Sequence, residues 1–144
     1  MKLTTTLALA ASATLSLAVQ AQAGDPAAGE NDFKKCRACH TIASADEVIF
    51  KGGKTGPNLY NIVGTAAAAG DYKYSTGLIA AAEAGLVWDE VQLVAYLEDP
   101  TTFLRDFTGD SSARSKMTFK LKNGEDVAAY LTSVSPDAPA PATN

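Results

Sequence analysis

Cys36-Arg37-Ala38-Cys39-His40 narrows what this chain can be more than any other segment, because it holds both cysteines and the single histidine of all 144 residues. Two thiols three positions apart on a helical turn can each add to a vinyl group of one haem, and the imidazole beside the second thiol is then held under the iron. Other uses of the pair fit less well. A thioredoxin-like dithiol lies beside a βαβ pattern, and none is visible. A structural zinc site needs four N or S ligands, usually in two separated pairs, whereas this chain has three, all within five residues. A disulfide closing so short a loop adds little stability. The motif therefore predicts one covalent haem c, held by Cys36 and Cys39, with His40 as an axial iron ligand.

The N-terminus suggests where this chemistry takes place. Met1-Lys2 is a short positive start, Leu7 to Val19 is an apolar run, and Ala21-Gln22-Ala23 is a small-x-small cleavage site before the polar Gly24-Asp25-Pro26. That pattern is a secretory signal peptide over 1–23. An uncleaved anchor is the alternative, but the run is short for a bilayer. Haem attachment to cysteines needs an exported, reduced chain, so signal and motif agree on a bacterial periplasm. Removing Lys2 leaves 11 basic residues against 16 acidic, a net charge of −5, which argues against nucleic-acid binding. One domain is expected over 24–134. A disordered tail is expected over 135–144, where Pro136, Pro139 and Pro141 stand among small and polar residues.

Periodicity predicts an all-α domain with no convincing strand. Asp25-Pro26 is a good N-cap and first helical position for a helix that reaches the motif, anchored by Phe33. A second helix is expected near Thr76–Ala84, stopped by Gly85. A third follows Asp89, with Val91, Val94 and Ala95 on one stripe, Leu93 and Leu97 beside it, and Pro100 at its end. A short helix begins at Asp99-Pro100, and a last one begins at Asn123 with Val127, Tyr130, Leu131 and Val134 as its stripe. Each stripe reads as core packing. So small a core needs the haem as its centre, and the apoprotein is expected to fold poorly.

For the other side of the iron the candidates are Met117, a lysine or an open position. Met117 is the only methionine left after signal removal. A thioether ligand favours ferrous iron and raises the reduction potential. Two protein ligands close the iron to substrates, which favours electron transfer over oxygen or peroxide chemistry.

These residues resemble the class I cytochromes c, most closely the long-type bacterial cytochromes c2. The resemblance runs from about Asp25 to Val134 through Lys54-Thr55-Gly56-Pro57-Asn58-Leu59-Tyr60, Val87-Trp88, Tyr96-Leu97-Glu98-Asp99-Pro100, Lys116-Met117-Thr118-Phe119 and Glu125-Asp126-Val127-Ala128-Ala129-Tyr130-Leu131. Extra residues around Thr108–Ser115 fit the longer bacterial type. The resemblance implies a cytochrome c fold of several short helices around one haem. It implies that the Pro57 carbonyl accepts the Nδ1 hydrogen of His40, a bond that fixes the tautomer. By the same resemblance Trp88 and Tyr74 bond a haem propionate, Tyr96 lies beside the methionine sulfur, and Ser115 bonds a propionate where the family usually has threonine. Gly29, Phe33 and Tyr130 match the contact of first and last helices. After Val63-Gly64 the family commonly carries an arginine that neutralises a propionate. Thr65 stands there instead, which is expected to lower the potential.

Eight of the 11 basic residues of the mature chain, Lys34, Lys35, Arg37, Lys51, Lys54, Lys116, Lys120 and Lys122, flank the motif or the methionine. The acidic residues gather at Asp89-Glu90 and Glu98-Asp99 and after Asp106. The resulting dipole steers the haem edge toward acidic partners in small, transient encounters. The family implies a cytochrome bc1-type complex as donor, and a photosynthetic reaction centre or terminal oxidase as acceptor. The expected protein is a monomeric periplasmic electron carrier and not an enzyme. The alternative is a haem protein with a labile sixth ligand, acting as gas binder or weak peroxidase. A dedicated donor to one periplasmic reductase is a third reading.

Overall fold

The structure, a computed structural model, describes residues 24–138. The expected signal peptide, 1–23, lies outside the described residues. Five short α-helices are present among the described residues: α1 (Pro26–Phe33), α2 (Thr76–Glu83), α3 (Glu90–Glu98), α4 (Pro100–Thr108) and α5 (Glu125–Ser133). Each expected helix is therefore found, and long loops carry most of the other described residues. Among the described residues, no helix is long and apolar enough to cross a membrane.

Local chemistry sets the helix boundaries. Asp25 accepts the N–H of Ala27 (2.9 Å) and Pro26 fills the first position of α1, where a missing N–H costs nothing. Ser75 caps α2 through the N–H of Leu78 (3.2 Å), and Gly85 (φ +92°) provides the left-handed residue that ends the path. Asp89 caps α3 through Gln92 (2.7 Å), and Asp99 ends α3 and caps α4 through Thr102 (3.1 Å). One extended residue between two helices makes a rigid elbow.

The core forms where α1 crosses α5. Phe33 and Val127 are each 1% exposed, and the Phe33 ring meets Phe50 edge-on at 4.9 Å and Tyr130 at 5.6 Å. Burying such a side chain contributes roughly 1.5–3 kcal/mol. Gly29 permits the crossing: a Cβ there would sit 1.9 Å from the Asp126 carbonyl oxygen and 2.8 Å from the Tyr130 Cβ. The N–H of Asp25 is also held by Asp126 Oδ1 (2.7 Å) across the same crossing.

Four expectations are corrected. Two short strands exist, β1 (Ile42–Ala43) and β2 (Val48–Phe50), paired antiparallel across a bulge; they are too short to show alternation. In α3 the core face is Leu93 and Leu97, both 7% exposed, whereas Val91 is 75% exposed; helical spacing alone did not decide between two adjacent stripes. Asn123 does not cap α5: it takes a left-handed turn conformation (φ +58°), and Gly124 is the cap residue, with no side-chain bond. The tail is ordered at its start. Ser135 is 3% exposed, donates to the Leu131 carbonyl (2.7 Å) and accepts the N–H of Val63 (3.1 Å). Asp137 and Asn61 pair through two bonds. The domain thus extends to 138, because local hydroxyl and amide chemistry outweighs the composition signal; residues 139–144 lie outside the described residues.

Candidate functional site

Below α1 the chain tightens into a 3-10 turn over Lys34–Cys36, and the N–H groups of Cys39 (3.1 Å) and His40 (2.9 Å) both return to the Cys36 carbonyl. Cys36 is thereby buried while Cys39 stays exposed. Burial pushes the free Cys36 thiol up to about 11, with Cys39 adding to the shift and Lys35 opposing it.

The loop from Gly52 to Leu59 wraps this turn. Gly53 donates to the Arg37 carbonyl and Gly56 to that of Cys39, both at 2.9 Å. Thr41 Oγ1 ties to Gly53 and Gly52 (3.2 and 3.1 Å). His40 Nδ1 lies 2.8 Å from the Pro57 carbonyl oxygen. A carbonyl only accepts, so the ring proton sits on Nδ1 and Nε2 keeps its lone pair. Burial lowers the imidazole pKa, partly offset by the Pro57 bond, which favours the neutral ring. Gly56 lies flat against that ring: a Cβ there would be 2.5 Å from His40 Cε1 and 2.8 Å from Nδ1.

A cavity of about 470 Å³ opens beside the motif, within the usual range for a small-molecule or cofactor pocket. All nine residues expected to hold or surround a haem line it: Cys36, Cys39, His40, Pro57, Tyr74, Trp88, Tyr96, Ser115 and Met117. Leu59, Ile62, Leu78, Leu97 and Leu131 add apolar wall. Trp88, 5% exposed, is fixed by a ladder in which its N–H reaches Thr65 (2.9 Å) and its carbonyl accepts from Gly64 (2.7 Å). No fully buried side-chain polar atom lacks a partner among the described residues. The Trp88 indole N–H and the Tyr74 hydroxyl form no hydrogen bond to another described residue, and both residues line the cavity. An apolar chamber with two thiols, a neutral imidazole, a thioether and two spare donors fits a haem with its propionates. It does not fit zinc: among the described residues no three His, Cys, Asp or Glu side chains converge to hold a metal ion.

Tyr96 Oη is 2.7 Å from Ser115 Oγ, which also accepts the N–H of Met117 (3.1 Å). Burial raises the Tyr96 pKa against the opposing effect of Ser115. Thr65 is not on the cavity wall; its hydroxyl donates to the Ile62 carbonyl (2.7 Å). Some wall residues had no role assigned from the sequence, among them Tyr72 and Thr118. Tyr72 donates to the Thr55 carbonyl (2.5 Å), and Thr118 follows the methionine. The Tyr72-Lys73-Tyr74 alternation was the available signal for the first.

Several basic residues expected to form a docking rim have local partners. Lys34 reaches Asn31 (2.8 Å), Lys35 pairs with Asp32 (2.7 Å) and Lys120 with Asp99 (2.5 Å). Lys120 and the Thr102 N–H hold the Asp99 carboxyl down at about 2. Lys116 donates to the Lys73 carbonyl, with its ammonium 5.8 Å from the centre of the Tyr72 ring. Of the rim only Lys35 and Lys116 line the cavity. Exposed pairs of this kind are weak and screened by salt.

A mainly helical fold closed over such a cavity, with C-x-x-C-H on its wall, defines a c-type cytochrome. No protein-family model matches the chain. Its similarity to individual proteins is high. Cytochrome c-551 of Roseobacter denitrificans is 52% identical over 135 residues, spanning 92% of this chain and 97% of that protein. Cytochrome c2 of Rhodobacter capsulatus is 47% identical over 131 residues, spanning 89% and 96%. The crystal structure of ferric cytochrome c-550 from Paracoccus versutus superposes with a TM-score of 0.76 at 49% identity, covering 78% of this chain and 99% of that one. The chain belongs to the class I cytochromes c, in the bacterial cytochrome c2/c-550 family. It is an electron-transfer protein with one covalently bound haem c.

Proposed function

We propose that this cytochrome is a periplasmic shuttle in which Cys36 and Cys39 form the thioether bonds and His40 and Met117 ligate the iron. It takes electrons from a cytochrome bc1-type complex and delivers them to a photosynthetic reaction centre or a terminal oxidase. The observation that carries the ligation is the His40 Nδ1–Pro57 bond of 2.8 Å on a cavity whose wall also holds Met117. The bond leaves Nε2 as the free donor atom and increases its basicity. When bound, haem c supplies a one-electron iron couple. The chain supplies ligands and an apolar chamber, with Trp88 and Tyr74 as donors for carboxylates.

The absorption spectrum of the ferric holoprotein tests this reading. A sulfur-to-iron charge-transfer band in the far red is expected. A high-spin ferric spectrum with immediate cyanide binding would overturn it in favour of the open-iron alternative.

The partner assignment rests on the family and on the clustering of basic residues. Arg37, Lys51, Lys54 and Lys122 add charge on segments beside the cavity, against a net of −5 for residues 24–144. Raising the ionic strength should slow electron transfer to an acidic partner steeply, since the Debye length falls from about 10 Å at 0.1 M to about 3 Å at 1 M. Stopped-flow oxidation of the ferrous protein checks this, and a salt-independent rate would remove the steering argument.

A further inference from the structure

The segment that bears Met117 is fastened to the α3–α4 elbow on both sides of the methionine. After it, the N–H of Leu121 donates to the Leu97 carbonyl (2.8 Å) and Lys120 reaches Asp99 (2.5 Å). Before it, the fastenings converge on Ser115. Its Oγ accepts the Met117 N–H (3.1 Å) and lies 2.7 Å from Tyr96 Oη, while its own N–H donates to Thr101 Oγ1 (3.2 Å). Thr101 is the second residue of α4, directly after Pro100 and the Asp99 cap. Proline fixes φ there and the cap fixes the first turn, so the Thr101 hydroxyl stands at a stiff point of the fold. It is not on the cavity wall. Whatever it does for Met117 is therefore done through Ser115.

We propose that Thr101 is a positioning residue for the sixth iron ligand: its hydroxyl pins the Ser115 backbone, Ser115 pins Met117, and the pair sets how often the methionine leaves the iron. The inference rests on the Met117 ligation proposed above. Ser115 is the hub because one residue uses both its N–H and its Oγ. Loss of the Thr101 acceptor strands a part-buried N–H, and Ser115 then gains another conformation in which the Met117 bond is not made. One neutral hydrogen bond corresponds to roughly a five-fold change in the open population. An added ligand such as cyanide reaches ferric iron only in that open state, so its apparent affinity and binding rate scale with the same fraction.

The test compares ferric holoproteins of the wild type, Thr101→Val, Thr101→Ser and Thr108→Val by far-red absorption, cyanide-binding rate and Tm. Thr108→Val is the control: it also deletes an α4 hydroxyl with two bonds, to the Leu104 carbonyl (2.6 Å) and from the Asp110 N–H (3.2 Å), at the other end of the helix. Thr101→Val should keep the far-red band and bind cyanide about five-fold faster. Thr101→Ser should restore the wild-type rate within about two-fold, and Thr108→Val should lower Tm without changing the rate. If Thr101→Val yields no holoprotein, Thr101→Ala carries the same comparison. An unchanged rate in the variant, or equal acceleration in Thr108→Val, overturns the positioning role. A wild type without the far-red band instead overturns the ligation itself, so the two failures are distinct.

Discussion

Met117→Leu should convert the ferric protein from a low-spin to a high-spin form, abolish the far-red band and let cyanide bind without delay. Leucine conserves the volume of methionine, a swap that cores tolerate at below about 1.5 kcal/mol, so the cavity survives while the sulfur is lost. The reduction potential should fall by on the order of tenths of a volt, a substantial part of the roughly 0.8 V over which axial ligands set haem potentials. Potentiometric titration and carbon monoxide binding after reduction provide the readouts. A potential within a few tens of millivolts of the wild type would show that Met117 is not the ligand. No second histidine could replace it, because His40 is the only one in the chain.

The other large effect is expected at Gly56. An added methyl would lie 2.5 Å from His40 Cε1 and 2.9 Å from Nε2, far inside contact distance. Gly56 itself is held by its N–H bond to Cys39 (2.9 Å), so the imidazole must swing and the Nδ1–Pro57 bond of 2.8 Å must break. Overpacking and a lost part-buried hydrogen bond together should cost about 2–4 kcal/mol in Gly56→Ala. Without its carbonyl partner the imidazole is a weaker donor, which favours ferrous iron, so the potential of whatever holoprotein forms should rise. Thermal unfolding beside potentiometry separates the two effects. A Tm within about 2 °C of the wild type would mean that the ring has room the structure does not show.

Where function depends on chemistry packed into a few residues, the sequence was readable. Cys36, Cys39 and His40 stand out by spacing and Met117 by being alone, and all four lie on one cavity wall. Asp25, Asp89 and Asp99 mark helix starts because a carboxylate at an N-cap acts within three residues of itself. What local pattern does not carry was harder to read. Val91 and Leu93 are both apolar and two positions apart, and only tertiary packing decides that Leu93 goes inside. Ser135 looked like part of a proline-rich tail until the Val63 N–H gave its hydroxyl a partner 72 positions away. Thr101 has no sequence signature, since its role arises where α4 passes the ligand segment.

The crossing at Gly29 also sets an order of events. Asp25 and Asp126, which bond across it, are 101 positions apart, and contacts that close so large a loop form late. The Phe33 ring lacks its Tyr130 neighbour, and the wall beside Cys36 lacks Val127 and Leu131, until α5 exists. Until α5 packs, Cys36 therefore lacks part of the wall that buries it, whereas Cys39 is exposed even in the finished fold.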